Sequence, residues 1–377
     1  MQRSPIVYFL FFISGITALI YEIVWTRMLT LVFGHTVFSV SVVLAAFMAG
    51  LGLGSYLFGY AVDRLPETQG SSAGGKAALL IYGWVEILIF TSGALLSFLF
   101  ANFSGIYASL HSVIPESIPL QNLIKMVFAF GLMLVPTTLM GATLPIISKY
   151  CVTEDSHIGT QVSLLYALNT LGGALGCLMA GFFLMGTFGI LQTVLLAAGA
   201  NLLIGIGALS IYLETVPGAD WKFRLPPLQA PRIDWNRDQK FWMGISFICG
   251  FTALAYEVLW TRLLVFSIAS TVYSFSMMLT VFLLGIFLGS LLLIPLAARI
   301  HNIRTALLIL QVGTGLYVIG SIYGLESILS APWNGYNLSQ PLSVFLRYFK
   351  DSAGLMLIPT VFLGMCFPLL VKMISGK

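Results

Sequence analysis

Ten apolar stretches, each long enough to cross a bilayer, constrain this chain more than any other feature of its sequence. They fall at roughly residues 6–32, 36–60, 77–101, 122–149, 160–185, 190–212, 241–267, 271–297, 304–327 and 347–374. A spanning helix needs about 20 mostly apolar residues. Only a helix or a closed barrel satisfies every backbone N–H and C=O in hydrocarbon. The polar balance agrees: 8% of residues are charged and 58% are hydrophobic, against about 25% charged in a soluble domain. So few charges cannot cover the surface of a soluble protein of this size. That excludes a soluble enzyme, a nucleic-acid binder and a disordered chain. The 37 glycines and 28 phenylalanines suit close-packed helices rather than the alternating polarity of barrel strands. The expected fold is an all-α integral membrane protein of about ten transmembrane helices.

Orientation follows from where Lys and Arg fall. With a cytoplasmic N-terminus, the inner side holds Arg3, Arg64, Lys76, Lys149, Lys222, Arg224, Arg232, Arg237, Lys240, Arg299, Arg304, Lys372 and Lys377. The outer side keeps Arg27, Lys125, Arg262, Arg347 and Lys350. Thirteen against five places both termini in the cytoplasm. The long polar break, Glu214 to Lys240, carries five basic residues and several prolines. It reads as a cytoplasmic linker (214–240) between a first membrane half (1–213, six spans) and a second (241–377, four spans). A solvated connector lying on anionic headgroups is one reading of it; a regulatory segment is the other.

The two halves repeat each other. SGITALIYEIVWTRMLT at 14–30 returns as CGFTALAYEVLWTRLLV at 249–265, an offset of 235. Ser39, Ser41, Gly50, Gly54 and Ser55 match Ser274, Ser276, Gly285, Gly289 and Ser290 at the same offset. GLMLVPTTLMGATLPIISK at 131–149 matches GLMLIPTVFLGMCFPLLVK at 354–372, an offset of 223. Six spans separate the first helix from its copy, so the copies are expected to run the same way through the bilayer. This is the parallel repeat of major-facilitator halves. Against a 6+6 plan the expectation is 6+4, with the chain truncated or the bundle completed by other polypeptide.

The motif SGITALIYEIVWTRMLTLVFG, the glycine-rich LAAFMAGLGLGSYLFG and the later YALNTLGG resemble the membrane domain of bacterial fused major-facilitator/spermidine-synthase-like proteins. The resemblance covers essentially the whole chain. It implies a multi-pass protein of the bacterial inner membrane and a link to polyamines. It also implies a soluble aminopropyltransferase-like domain after the membrane part, which is absent from these 377 residues. Gly59 to Arg64 is similar to the start of the major-facilitator loop between spans two and three, without that loop's later basic pair.

Three carboxylates fall inside apolar spans: Glu22, Glu86 and Glu257. A carboxylate at the bilayer centre costs at least about 2.5 kcal/mol, so such residues face a bundle interior and serve pathways, relays or partners. Glu22 and Glu257 occupy matching positions. They are candidates for a shared inward-facing site that binds an amine cation; the alternative is a structural hydrogen bond or ion pair. Arg27 and Arg262 are candidate ion-pair partners. Five residues along a helix is about 140° past one turn, so Glu22 and Arg27 do not share a face. Trp25 and Trp260, with Tyr21 and Tyr256, read either as an interfacial belt or as an aromatic wall for a cation. Pro136 and Pro145, with copies Pro359 and Pro368, are expected to interrupt or kink spans four and ten, with Thr137, Thr138 and Thr360 as candidate lining. Asn169 and Gln192 read as interhelical hydrogen-bonding residues.

The glycines at 50, 52 and 54 sit in an apolar run with no strand before them. Gly50/Gly54 and Gly285/Gly289 therefore read as close helix packing rather than a phosphate loop. The four cysteines have no paired spacing and read as reduced small residues. His35, His111, His157 and His301 fall between spans with no metal-site spacing. No cofactor, metal, catalytic set or nucleic-acid partner is expected. The expected partners are the bilayer and a soluble spermidine-synthase-like domain or protein. Transport of a small cation such as a polyamine is the leading reading; a non-transporting membrane anchor is the alternative.

Overall fold

The computed structural model describes residues 5–34, 36–65, 73–103, 105, 117–151, 158–215, 236–268, 271–297, 300, 302–329 and 341–375. The four histidines and linker residues 216–235 lie outside them. The chain is an all-α multi-pass membrane protein: ten of its helices are long and apolar enough to span. In chain order they are α1 (Pro5–Phe33), α2 (Thr36–Asp63), α3 (Ala73–Ala101), α4 (Ile118–Cys151), α5, α6 (Ile190–Thr215), α7 (Arg237–Ile268), α8 (Thr271–Ala297), α9 (Ile303–Leu329) and α10 (Pro341–Ser375). Helix α5 runs Ile158–Met179, passes through a π-helical turn at Ala180–Leu184 and finishes as Met185–Phe188.

Local chemistry sets several helix ends. Gly34 (φ 72°) and Gly189 (φ 82°) take the positive φ that favours glycine, and their N–H groups donate to Thr30 O and Met185 O at 3.0 and 3.1 Å. This is the glycine C-terminal cap. Helix α7 opens on a capping box: Gln239 N donates to Asn236 Oδ1 at 2.8 Å, and Asn236 N to Gln239 Oε1 at 3.1 Å. Asn302 Oδ1 accepts from Thr305 N at the start of α9.

The chain divides into two compact units, Met1–Gly172 with Phe183–Arg232, and Gly173–Phe182 with Ile233–Lys377. The middle of α5 thus belongs to the second unit, a division finer than a cut in the linker.

In the first unit α2 packs on α4, and α3 packs on α6 and α4. Glycines make the contacts close. A Cβ on Gly54 would strike Thr138 O, and one on Gly141 would strike Leu51 O. Ser55 Oγ donates to Gly141 O at 2.9 Å. Gly83 and Gly205 let α3 and α6 meet backbone to backbone: a Cβ on Gly205 would stand 2.8 Å from Gly83 O. Gly15 on α1 packs on Asn169 of α5 in the same way.

The second unit repeats the α2–α4 contact between α8 and α10. Gly289 packs on Val361 O and Gly364 on Ile286 O, while Ser290 Oγ donates to Gly364 O at 3.3 Å. Each residue is the sequence copy of its counterpart, so the duplication is structural as well as textual. The middle of α5 joins this unit: Gly181 packs on Ser276, and Phe182 stacks on Tyr273 at 5.1 Å. In the first unit α6 covers α1 and α3. No helix takes that role in the second unit among the described residues. There the most apolar stretch of α7 is 11% buried, against 50% for α1.

Candidate functional site

The Tyr-Glu-x-x-Trp-Thr-Arg segment of α1 turns into the first unit. Tyr21, Glu22 and Trp25 are all buried. The Tyr21 ring stacks on Trp25 at 5.0 Å, as their i, i+4 spacing allows, and Phe47 of α2 closes on Trp25 at 5.8 Å. Trp25 Nε1 donates to Ser97 Oγ of α3 at 2.8 Å, and Ser97 passes a bond on to Gly93 O. A headgroup belt therefore does not describe Trp25, which faces inward with its polar edge satisfied. Thr26 Oγ1 donates to the Glu22 backbone carbonyl.

Glu86 is the centre of the most developed polar cluster among the described residues. It lies on α3 and is fully buried. Ser14 Oγ of α1 donates to Oε1, and Asn201 Nδ2 of α6 donates to Oε2, each at 2.6 Å. Three helices thus converge on one carboxylate through neutral donors. Tyr82, one turn earlier on α3, brings its hydroxyl beside Glu86 and Ser14. Asn201 Oδ1 and the Tyr21 hydroxyl are buried and unpartnered among the described residues.

The second unit carries the copy of the motif on α7. Glu257 and Trp260 are buried and Tyr256 half-buried. Tyr256 stacks on Trp260 at 5.3 Å, and Phe282 of α8, the copy of Phe47, approaches at 6.4 Å. Glu257 Oε1 has no hydrogen-bond partner among the described residues; Thr261 Oγ1 donates to the Glu257 carbonyl as Thr26 does to Glu22. The Ser14–Glu86 contact also has a counterpart, with different chemistry. Cys249, the copy of Ser14, meets Gln311 of α9: Gln311 Nε2 lies 3.3 Å from Cys249 Sγ and 3.5 Å from Cys366 Sγ.

Arg27 is half-buried and Arg262 exposed, and neither is in an ion pair among the described residues. The ion pair that does form inside a span is Arg347 with Asp351 on α10, Nε to Oδ2 3.6 Å, both buried. Pro136 and Pro359 are buried, yet α4 and α10 run on as helices through them and through Pro145 and Pro368. Thr137 Oγ1 donates back to Met133 O at 2.7 Å and Thr360 Oγ1 to Met356 O at 2.8 Å, which ties the turn that contains each proline.

Sequence reasoning singled out Glu86 but missed Ser14, Asn201 and Tyr82 around it, and Arg347 with Asp351. Asn201 is a lone amide in an apolar run, the same signal that marked Asn169. Among the described residues no three His, Cys, Asp or Glu side chains stand together to hold a metal, and all four cysteines are free thiols. Comparison with protein-family models and with curated proteins finds no match.

Proposed function

We propose that this chain is the transporter-like membrane domain of a spermidine-synthase-like protein. In this reading it binds or moves a small organic cation such as a polyamine, with Glu22 and Glu257 as counter-ions. One observation carries the reading: each unit buries an acid beside a stacked Tyr–Trp pair, Tyr21/Trp25 and Tyr256/Trp260. A carboxylate beside an aromatic face is the chemistry that recognises a desolvated ammonium group. The excess of Lys and Arg in alternate loops supports both ends being cytoplasmic, and the resemblance implies the bacterial inner membrane.

The test is spermidine flux and binding in proteoliposomes holding the intact chain, the Glu22→Gln variant or the Glu257→Gln variant. Loss of flux in either variant is the expected result. Flux that survives both substitutions removes the acids from the role. Neither flux nor spermidine binding leaves the anchoring reading, in which the domain holds a soluble aminopropyltransferase-like partner at the membrane.

A further inference from the structure

We propose that Glu86, with Ser14, Tyr82 and Asn201, forms a binding site for a small inorganic cation, a proton or a sodium ion, within the first unit. This site is independent of polyamine transport and follows from an imbalance of polar groups. The Glu86 carboxylate is fully buried and accepts from two neutral donors, Ser14 Oγ and Asn201 Nδ2. No ion pair reaches it among the described residues. The Tyr82 hydroxyl lies beside the carboxylate, and Asn201 Oδ1 and the Tyr21 hydroxyl, on fully buried residues, have no hydrogen-bond partner among the described residues. A buried carboxylate held by neutral donors and reached by no ion pair lacks a positive charge.

Either cation supplies what is missing. A proton on a Glu86 oxygen makes the side chain neutral and turns that oxygen into a donor for the Tyr82 hydroxyl oxygen. A sodium ion accepts lone pairs from the carboxylate and from the hydroxyl and amide oxygens together, the hard-oxygen ligand set such ions prefer. The titratable groups facing the site are few. Helix α1 brings Tyr21 and α3 itself brings Tyr82; α6 brings the neutral Asn201; Cys151 at the end of α4 lies behind Tyr82.

The second unit argues against a purely architectural role. There the matching contact between the first and third helices is made by Cys249 and Gln311, both uncharged. The helix pair therefore packs with or without a carboxylate, so packing alone does not call for the charge at Glu86.

The experiment uses the purified full chain in lipid nanodiscs, with no polyamine present. Infrared difference spectra between acidic and alkaline pH report protonated carboxyl groups, and thermal unfolding in sodium against choline chloride reports sodium. If the cation is a proton, a carboxyl band appears on acidification and is lost in Glu86→Gln but kept in Glu22→Gln and Glu257→Gln. If it is sodium, the unfolding midpoint rises with sodium and the rise vanishes in Glu86→Gln. Tyr82→Phe keeps the ring and the charge at Glu86 and removes only the hydroxyl beside it, so it is tested separately from the first variant; it shifts the same band or weakens the same sodium effect. A chain with no sodium effect, and no carboxyl band sensitive to Glu86→Gln or Tyr82→Phe, overturns the proposal.

Discussion

Trp25 and Ser97 are joined by an indole N–H that donates at 2.8 Å, and the two residues stand 72 positions apart. Ser14 and Glu86 are separated by the same 72 positions. Tyr21 packs on Gly93, again 72 residues on, where a Cβ would stand 2.9 Å from the Tyr21 hydroxyl. Constant separation means that α1 and α3 lie parallel and in register. The three positions on α1, at 14, 21 and 25, follow spacings of seven and four, the stripe that one helix face presents.

The Trp25 bond is separable from its stack. Trp25→Phe keeps an aromatic ring against Tyr21 and Phe47 and deletes only the N–H. Ser97 retains Gly93 O as acceptor, so the loss is about 0.6 kcal/mol, the mean for hydrogen bonds between membrane helices. Trp25→Ala also opens a void and costs about 3–5 kcal/mol. Unfolding midpoints of the two variants in nanodiscs check the ordering; equal losses would refute it.

Glycines that look alike in the sequence separate sharply by neighbour. Gly54→Ala sets a methyl against Thr138 O of α4, and Gly289→Ala does the same against Val361 O of α10. Each is expected to cost about 1–3 kcal/mol through overpacking. Gly52, between Gly50 and Gly54, has open space where a Cβ would stand, with no atom within 4 Å. Gly52→Ala therefore gains up to about 1 kcal/mol of helix propensity. Thermal denaturation of the three single variants decides the matter.

Asn201→Ala removes one of the two donors to Glu86 and is expected to cost about 1–3 kcal/mol, the penalty of an unsatisfied buried acceptor. The same substitution in a Glu86→Gln background costs a different amount, because the residues share one network. A double-mutant cycle should return a coupling of about 0.5–3 kcal/mol. Strict additivity would show that the 2.6 Å contact carries no energy.

Arg347 and Asp351 form a buried i, i+4 pair on α10. Arg347→Leu removes the cation of this pair and is expected to lower stability, whereas Arg347→Leu combined with Asp351→Leu recovers part of that loss. Expression level and unfolding midpoint of the single and double variants measure it.

Much of the fold is legible in the sequence, because lipid leaves a chain few options. All ten apolar runs become helices, with ends within a few residues of the apolar boundaries; the run at 190–212, for example, becomes Ile190–Thr215. The glycine spacing of Gly50 and Gly54 is likewise readable, since a small residue every fourth position has a direct steric meaning. The polar ring around Glu86 is harder to see. Ser14, Glu86 and Asn201 lie on three different helices, and single polar residues in apolar runs carry no periodicity. The π-helical turn at Ala180–Leu184 has no sequence signal of its own. Helices α4 and α10 continue past Pro136 and Pro359, since a helix held by its neighbours and by a following threonine tolerates the lost amide.

The in-register pairing of α1 with α3 has a mechanical consequence. Ser14–Glu86, Tyr21–Gly93 and Trp25–Ser97 are three rungs of one ladder. A piston stroke of either rail would have to snap every rung at once, so these two helices travel as a single strut, and any rocking of the first unit must pivot at some other seam.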